Sequence, residues 1–340
     1  MSLPIHPNTF APVTRRPTRW IGLLLVVVVA VVSPCLLATP GTVWATSKHT
    51  SASLTSNPNR TVKVTDNTWT DSTNPAAIPL GDNEYGTAPK VGHLDSCQTN
   101  FSGGRGAASS GAWLSAAAGT WDSDTKLAVE GTVSWKQATH SVRTLGQFRV
   151  IKTDDLPEGQ TTGSFPISPS DPAYQYDQNP NTIESQNLTY KIPLHPKAAA
   201  TPSCTALGAI GVMDDGVILL NALDALGRDA GAHEVLDHCD GHPMMAGMYH
   251  YHSVAPCIAP TTPSSATLVG YALDGYGIYV ERNSAGNLPT DADLDACHGR
   301  TSKVLFDNKM VDMYHYDATL EYPYTVGCYH GTPSSAASMP

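Results

Sequence analysis

The chain has 340 residues, with 20 Lys and Arg against 30 Asp and Glu, for a formal net charge of −10 at pH 7. An acidic balance of this size excludes a nucleic-acid partner, because phosphate backbones require basic surface. The chemically distinctive minority is 7 cysteines and 13 histidines, and eight of those histidines follow residue 230.

Residues 1–45 read as a signal peptide. "TRRPTRW" supplies a basic region, "IGLLLVVVVAVV" a short apolar run, and "VWA" a small-residue cleavage site ending at Ala45. The run is shorter than the ~20 residues of a membrane-spanning helix, so membrane contact is expected only through an uncleaved leader. The expected location is secreted or extracytoplasmic, including tethering at the cell surface. Residues 46–61, "TSKHTSASLTSNPNR" and its neighbour, carry almost no apolar side chain and read as a flexible linker.

Residues 62–200 form an expected N-terminal β-rich part of the body. "KLAVEGTVSW", "SVRTLGQFRVI" and "NLTYKIPL" are strand-like, separated by Gly, Pro and Asp punctuation. "SFPISPSDPAYQYDQNPN" has the proline, tyrosine and asparagine density of a loop laid on a sheet. The one short stretch with helical periodicity is "ILLNALDALG". The chain therefore reads as mainly β, with long ordered loops.

Residues 201–335 contain an internal repeat. "GVMDDGVILL" at 211 aligns with "GYALDGYGIYV" at 270, "LDHCDG" at 236 with "LDACHG" at 294, and "MYHYH" at 248 with "MYHYD" at 313. The expected fold is a duplicated β domain, copies about 205–260 and 265–332, packed about a pseudo-two-fold axis. Each copy opens on an Asp-Gly hairpin, passes through an LDxCxG turn and ends in a Tyr/His strand. Outside the leader six cysteines remain, an even number that reads as disulfides in an oxidising compartment. Pairing equivalent cysteines gives Cys239 with Cys257 and Cys297 with Cys328, leaving Cys97 with Cys204.

Residues two apart in a strand share a face, so His250 and His252 point together while Tyr249 and Tyr251 point away. Two such imidazoles can share a metal ion if further ligands come from elsewhere, and with the thiols in disulfides an N/O set suits a divalent transition ion, zinc or copper. The expected ligands are His242, His250, His252 and His315, drawn from a neighbourhood that also holds His238, Asp240, Asp295 and His298. Where the copies differ, His252 is matched by Asp317 and His242 by Arg300, so these positions are free of a purely architectural duty. The bland alternative is a set of histidines held by the Asp of LDxC that only order the fold.

The assembled blocks resemble the YHYH-domain family of secreted bacterial proteins. The resemblance rests on "DDLPEGQTTGSFP", "DPAYQYDQNPN", the run from "GAIGVMDDGVILL" through "GMYHYHSVAPC", "LVGYALDGYGIYV", and "DLDACHGR" with "YHYDATLEYPYTVGCYHGTP", over about residues 145–335. Asp317 and Arg300 depart from the family's usual histidines. The resemblance implies a fold unit and export, but no reaction.

Two functions remain open on these grounds. One is metal binding, in its sharper form a metal-assisted hydrolase of an extracellular small molecule or polymer with Asp237 or Asp317 as base. The other is a non-catalytic carbohydrate- or peptide-binding module that stacks its ligand on Tyr249, Tyr251, Tyr314, Tyr316, Tyr322 and Tyr324, with Arg300 holding an anion.

Overall fold

A computed structural model describes residues 62–63, 73–101 and 110–334; the expected leader and linker lie outside these residues. The described part is mainly β, with a single α-helical turn, α1 (Ala230–His233). Among the described residues no helix is long and apolar enough to cross a membrane.

The N-terminal part contributes a three-stranded antiparallel sheet of β1 (His140–Leu145), β2 (Phe148–Thr153) and β3 (Leu188–Pro193), in the order β3-β2-β1. Strand β4 (Ala198–Ser203) then leads to the main sheet. This is built from β5 (Ala209–Met213), β6 (Ile218–Leu220), β7 (Gly241–Pro243), β8 (Tyr249–Tyr251), β9 (Ser265–Ala272), β10 (Gly277–Arg282), β11 (Gly299–Phe306) and β12 (Lys309–Asp317). A last strand, β13 (Tyr329–Gly331), pairs with β4, and Val62–Lys63 pairs with the start of β9.

The order across the main sheet is β7-β8-β6-β5-β9-β10-β12-β11. It reads the same outward from its centre, where β5 and β9 run antiparallel with Val212 opposite Tyr271. On each side a hairpin (β5–β6, β9–β10) is followed by a parallel neighbour (β8, β12) and then an antiparallel edge strand (β7, β11). Every residue of β5 and β9 is buried, which explains why they are continuous apolar runs without alternation. Ile151, Tyr190 and Ile192 of the small sheet join the same core.

"ILLNALDALG" is not a helix. After β6 the side chain of Asn221 accepts the Leu223 N–H at 3.1 Å, and Asp224 accepts the N–H groups of Leu226 (2.9 Å) and Arg228 (2.8 Å). These short side chains give the backbone local partners that compete with helical ones.

The LDxCxG turns are organised by their aspartates. Asp237 Oδ1 accepts the N–H groups of Cys239 (2.9 Å) and Gly241 (3.2 Å), and Asp295 Oδ1 those of Cys297 (2.9 Å) and Gly299 (3.1 Å). The tyrosine that opens each YHY triplet donates to the same carboxylate: Tyr249 Oη to Asp237 Oδ2 at 2.9 Å, Tyr314 Oη to Asp295 Oδ1 at 3.0 Å. The second tyrosine donates to the aspartate of the hairpin turn, Tyr251 to Asp215 at 2.8 Å and Tyr316 to Asp274 at 2.6 Å. The glycine of LDxCxG is required because a tyrosine ring lies over it: a Cβ on Gly241 would sit 2.3 Å from Tyr249 Cζ, and one on Gly299 2.4 Å from Tyr314 Oη. Disulfides Cys239–Cys257 and Cys297–Cys328 close each turn onto the chain beyond its YHY strand, and Cys97–Cys204 ties the N-terminal part to the start of the main sheet.

Two outcomes test this scheme. Asp237→Ala strands the buried N–H groups of Gly163, Cys239 and Gly241 together with the Tyr249 hydroxyl, and urea unfolding should register a loss of about 3–5 kcal/mol, against about 1–2 for Tyr249→Phe. Burial pushes the Asp215 carboxyl up to about 6, against the bonds from Tyr251 and the Val217 N–H. The folded protein then keeps a proton that the unfolded chain has released near pH 3.9. The resulting stabilisation is complete below about pH 4 and is lost as pH rises through 6. Asp215→Asn should remove about 2–3 kcal/mol of this fall in stability between pH 4 and 6.5; an unchanged slope would assign the effect elsewhere.

Candidate metal centre

Strands β7 and β8 form an edge hairpin in which His242 stands directly opposite His250. Since the tyrosines of β8 are committed to Asp237 and Asp215 on one face, His250 and His252 are turned to the other, where His242 joins them. The ring centroids of His242 and His250 are 4.5 Å apart, those of His250 and His252 5.0 Å, and those of His242 and His252 5.9 Å. All three residues are buried.

The hairpin is fixed from outside by the proline-rich loop. Asn179 Nδ2 donates to the Pro243 carbonyl at 2.8 Å, the Glu184 N–H to the Gly247 carbonyl at 2.9 Å, and Gln186 Nε2 to the Ala246 carbonyl at 2.8 Å. This is the "DPAYQYDQNPN" stretch and its continuation, laid on the sheet edge that carries the histidines.

A fourth group closes the cluster. Glu234 follows α1, a single turn capped by Asp229, whose carboxylate also accepts the Tyr324 hydroxyl at 2.5 Å and the Gly81 N–H at 2.9 Å. That turn delivers Glu234 Oε2 to 3.1 Å from His242 Nε2 and 3.0 Å from His252 Nε2. One ligand atom from each of Glu234, His242, His250 and His252 lies within 4.8 Å of all the others.

Tautomers follow from the outer contacts. Nδ1 of His250 lies 3.3 Å from the Met248 carbonyl and Nδ1 of His252 2.5 Å from the Asn221 carbonyl, so each ring donates there and keeps its Nε2 lone pair for the cluster. His242 Nε2, His252 Nε2 and Glu234 Oε2 are buried and close, yet none has an aligned hydrogen bond. Buried polar atoms are normally paired; these pair with one another as ions, Glu234 Oε2 lying between the two Nε2 atoms. Burial and the neighbouring imidazoles hold His250 well below the usual histidine range, so it is neutral. Burial works against a charge on His252 and on Glu234 alike, but attraction wins: Glu234 raises His252, and His242 together with His252 holds Glu234 well below the carboxylate range.

At the other end of the sheet β11 and β12 make the matching hairpin, with Arg300 opposite His315. Asp317 and, from β10, Glu281 complete this second group. Arg300 Nε lies 2.7 Å from Asp317 Oδ2, and its Nη2 pairs with Glu281; His315 Nε2 is 3.3 Å from Glu281 Oε1 and 3.7 Å from Asp317 Oδ1.

Several expected roles are redistributed by this geometry. His242, His250 and His252 come together, but His315 does not join them: five inter-strand steps separate β8 from β12, about 24 Å at the usual spacing. Asp237 is not a base beside the histidines, because its carboxylate faces the tyrosine side and is saturated by backbone and tyrosine donors. Asp317 is likewise no base there, being ion-paired within the far cluster. Tyr249 and Tyr251 are both 0% exposed and offer no face to a ligand. Arg300 holds internal carboxylates, not a substrate anion. His238, beside the bonded Cys239 and Cys257, contacts Thr161 Oγ1 at 3.1 Å, and His298 is held between Asp291 (3.3 Å) and Thr319 (3.0 Å). Glu234 and Glu281 escaped the sequence reading. Each lies outside the aligned blocks of the sequence, so comparing those blocks could not single them out.

Residues 189–291 match the model of a family described as YHYH protein. The matched span contains all four groups of the first cluster and ends before the second LDxCxG turn. No curated protein and no solved structure matched the chain.

Proposed function

We propose that this protein, a YHYH-family chain over residues 189–291, is an exported, disulfide-stapled β protein that binds one divalent transition-metal ion through Glu234, His242, His250 and His252. The observation that carries the reading is the convergence of four buried donors, three of them without an aligned hydrogen bond. With neutral imidazoles the set bears one negative charge in a buried place, and a divalent cation would answer that charge while engaging all four donors at once, which the single proton shared by His252 and Glu234 cannot. Three nitrogens and one oxygen suit zinc or copper, and a compact four-donor set favours tetrahedral zinc.

Four protein donors leave no open coordination position, and closed sites serve to bind and stabilise rather than to activate water. The ion would supply cross-linking of α1, the edge hairpin and, through Asn221, the end of β6. Hydrolysis is accordingly not part of this reading. The duplication of 205–332 is also proposed, on the aligned blocks together with the mirrored strand order. Export is supported by the leader and by three disulfides, which persist in oxidising compartments.

A second reading, a non-catalytic binding module, is favoured by one observation. A cavity of about 370 Å³ lies where the N-terminal part meets both halves of the main sheet, lined by Trp121, Tyr324 and Leu320 with Lys126 and Asp240. Such mainly apolar junction cavities suit small molecules. Of the tyrosines expected to stack on a ligand, Tyr324 lines this cavity, whereas Tyr249 and Tyr251 do not.

Elemental analysis of mature protein purified without a His-tag should find one zinc or copper per chain. Chelation should lower the melting temperature by on the order of 10 °C, restored by adding the ion. His250→Ala, His252→Ala and Glu234→Gln should each weaken binding by at least about 10-fold, whereas Tyr251→Phe should leave stoichiometry intact. Metal-free protein whose melting ignores chelator, zinc and copper alike would sink the metal reading.

A further inference from the structure

We propose that Arg300 is a built-in cation standing, at the far end of the sheet, where the metal ion stands at the near end, and that it limits the chain to one ion. The inference rests on the metal reading above.

The two ends share a scaffold position by position. Arg300 faces His315 across β11–β12 as His242 faces His250 across β7–β8. His315 Nδ1 lies 3.1 Å from the Met313 carbonyl, two residues back, as His250 Nδ1 lies 3.3 Å from that of Met248. Asp317 follows His315 at the spacing by which His252 follows His250, which puts it on the same face. A glutamate completes each group, Glu234 from the turn after α1 and Glu281 from β10.

What differs is where the positive charge comes from. The near end has three imidazoles and one carboxylate. The far end has one imidazole and two carboxylates, both 0% exposed as side chains, and two buried carboxylates without a counter-charge are not tolerated. Arg300 reaches between them, with Nε on Asp317 and Nη2 on Glu281, the bridging position that a divalent ion would take among Glu281, His315 and Asp317. Burial keeps His315 below the usual histidine range, so the guanidinium is the cation of the group. A histidine can release its proton to admit a metal; a guanidinium in a protein cannot. The far end therefore carries a permanent cation at every metal concentration, and the near end carries none.

The test is zinc stoichiometry of the full mature chain after dialysis against zinc chloride, with Arg300→His placing an imidazole where His242 stands in the near site. Wild type should hold one zinc, Arg300→His two, and Arg300→His with His250→Ala one. A single zinc in folded Arg300→His, or two in wild type, overturns the inference while leaving the near site standing. No zinc in wild type but one in Arg300→His upholds the far site and overturns the reading of the near one; none in either overturns both.

Should Arg300→His fail to fold even in zinc, stability decides by another route. Arg300→Met should melt well below wild type when both are compared without added zinc. The triple variant Arg300→Met, Glu281→Gln, Asp317→Asn should recover most of that loss. If the triple variant melts no higher than Arg300→Met, the guanidinium is not there to balance the carboxylates and the inference falls.

Discussion

The hydrogen bond from a buried tyrosine hydroxyl to a turn aspartate is the contact on which this fold depends. It occurs four times, Tyr249 on Asp237, Tyr251 on Asp215, Tyr314 on Asp295 and Tyr316 on Asp274. Each bond adds to a carboxylate that is also gathering backbone N–H groups, and three of the four (Asp215, Asp237 and Asp274) are buried, so strand, turn and hairpin are fixed at one point. A hydrogen bond to a charged group is worth about 1.5–3 kcal/mol, and leaving such a group unpaired costs more. The tyrosines therefore cannot turn outward, and strand alternation obliges the residues between and beyond them to face the other way.

From that constraint the histidine cluster follows with few further requirements. Once the tyrosine face is spent on architecture, the opposite face of the same short strand is available for ligands. An edge hairpin brings His242 across from His250, the loop through Asn179 and Glu184 pins the connecting turn, and one helical turn supplies Glu234. The ring nitrogens not used by the cluster are spoken for by backbone carbonyls, which orients the rings before any ion arrives.

The two ends of the sheet show one scaffold with two electrostatic solutions. Arginine at position 300 and aspartate at 317 change together relative to their counterparts His242 and His252, and Glu281 arises on a strand whose counterpart in the first half carries no acid. None of these three is readable as compensation until they are seen in contact. This is also why Arg300, taken alone, suggested an anion site: its partners are distant in sequence, and only the sheet order brings β10 beside β12.

The sequence by itself determined the β class, the sharing of one face by His250 and His252, and the loop nature of the stretch before residue 182. Those features depend on local chemistry: period-two alternation, Asp-Gly turns and proline punctuation act within a few residues. It misplaced the role of the LDxC aspartates, assigned to histidine or catalysis but held by tyrosine, and it grouped His315 with the other three. Tertiary structure alone decided that Glu234 completes the first cluster, that His315 lies in a different cluster at the far end of the sheet, and that Arg300 pairs with both Glu281 and Asp317. The reason is physical. Charge compensation in a buried place depends on distance through space, and the order of strands in a sheet sets those distances without leaving a local trace in the chain.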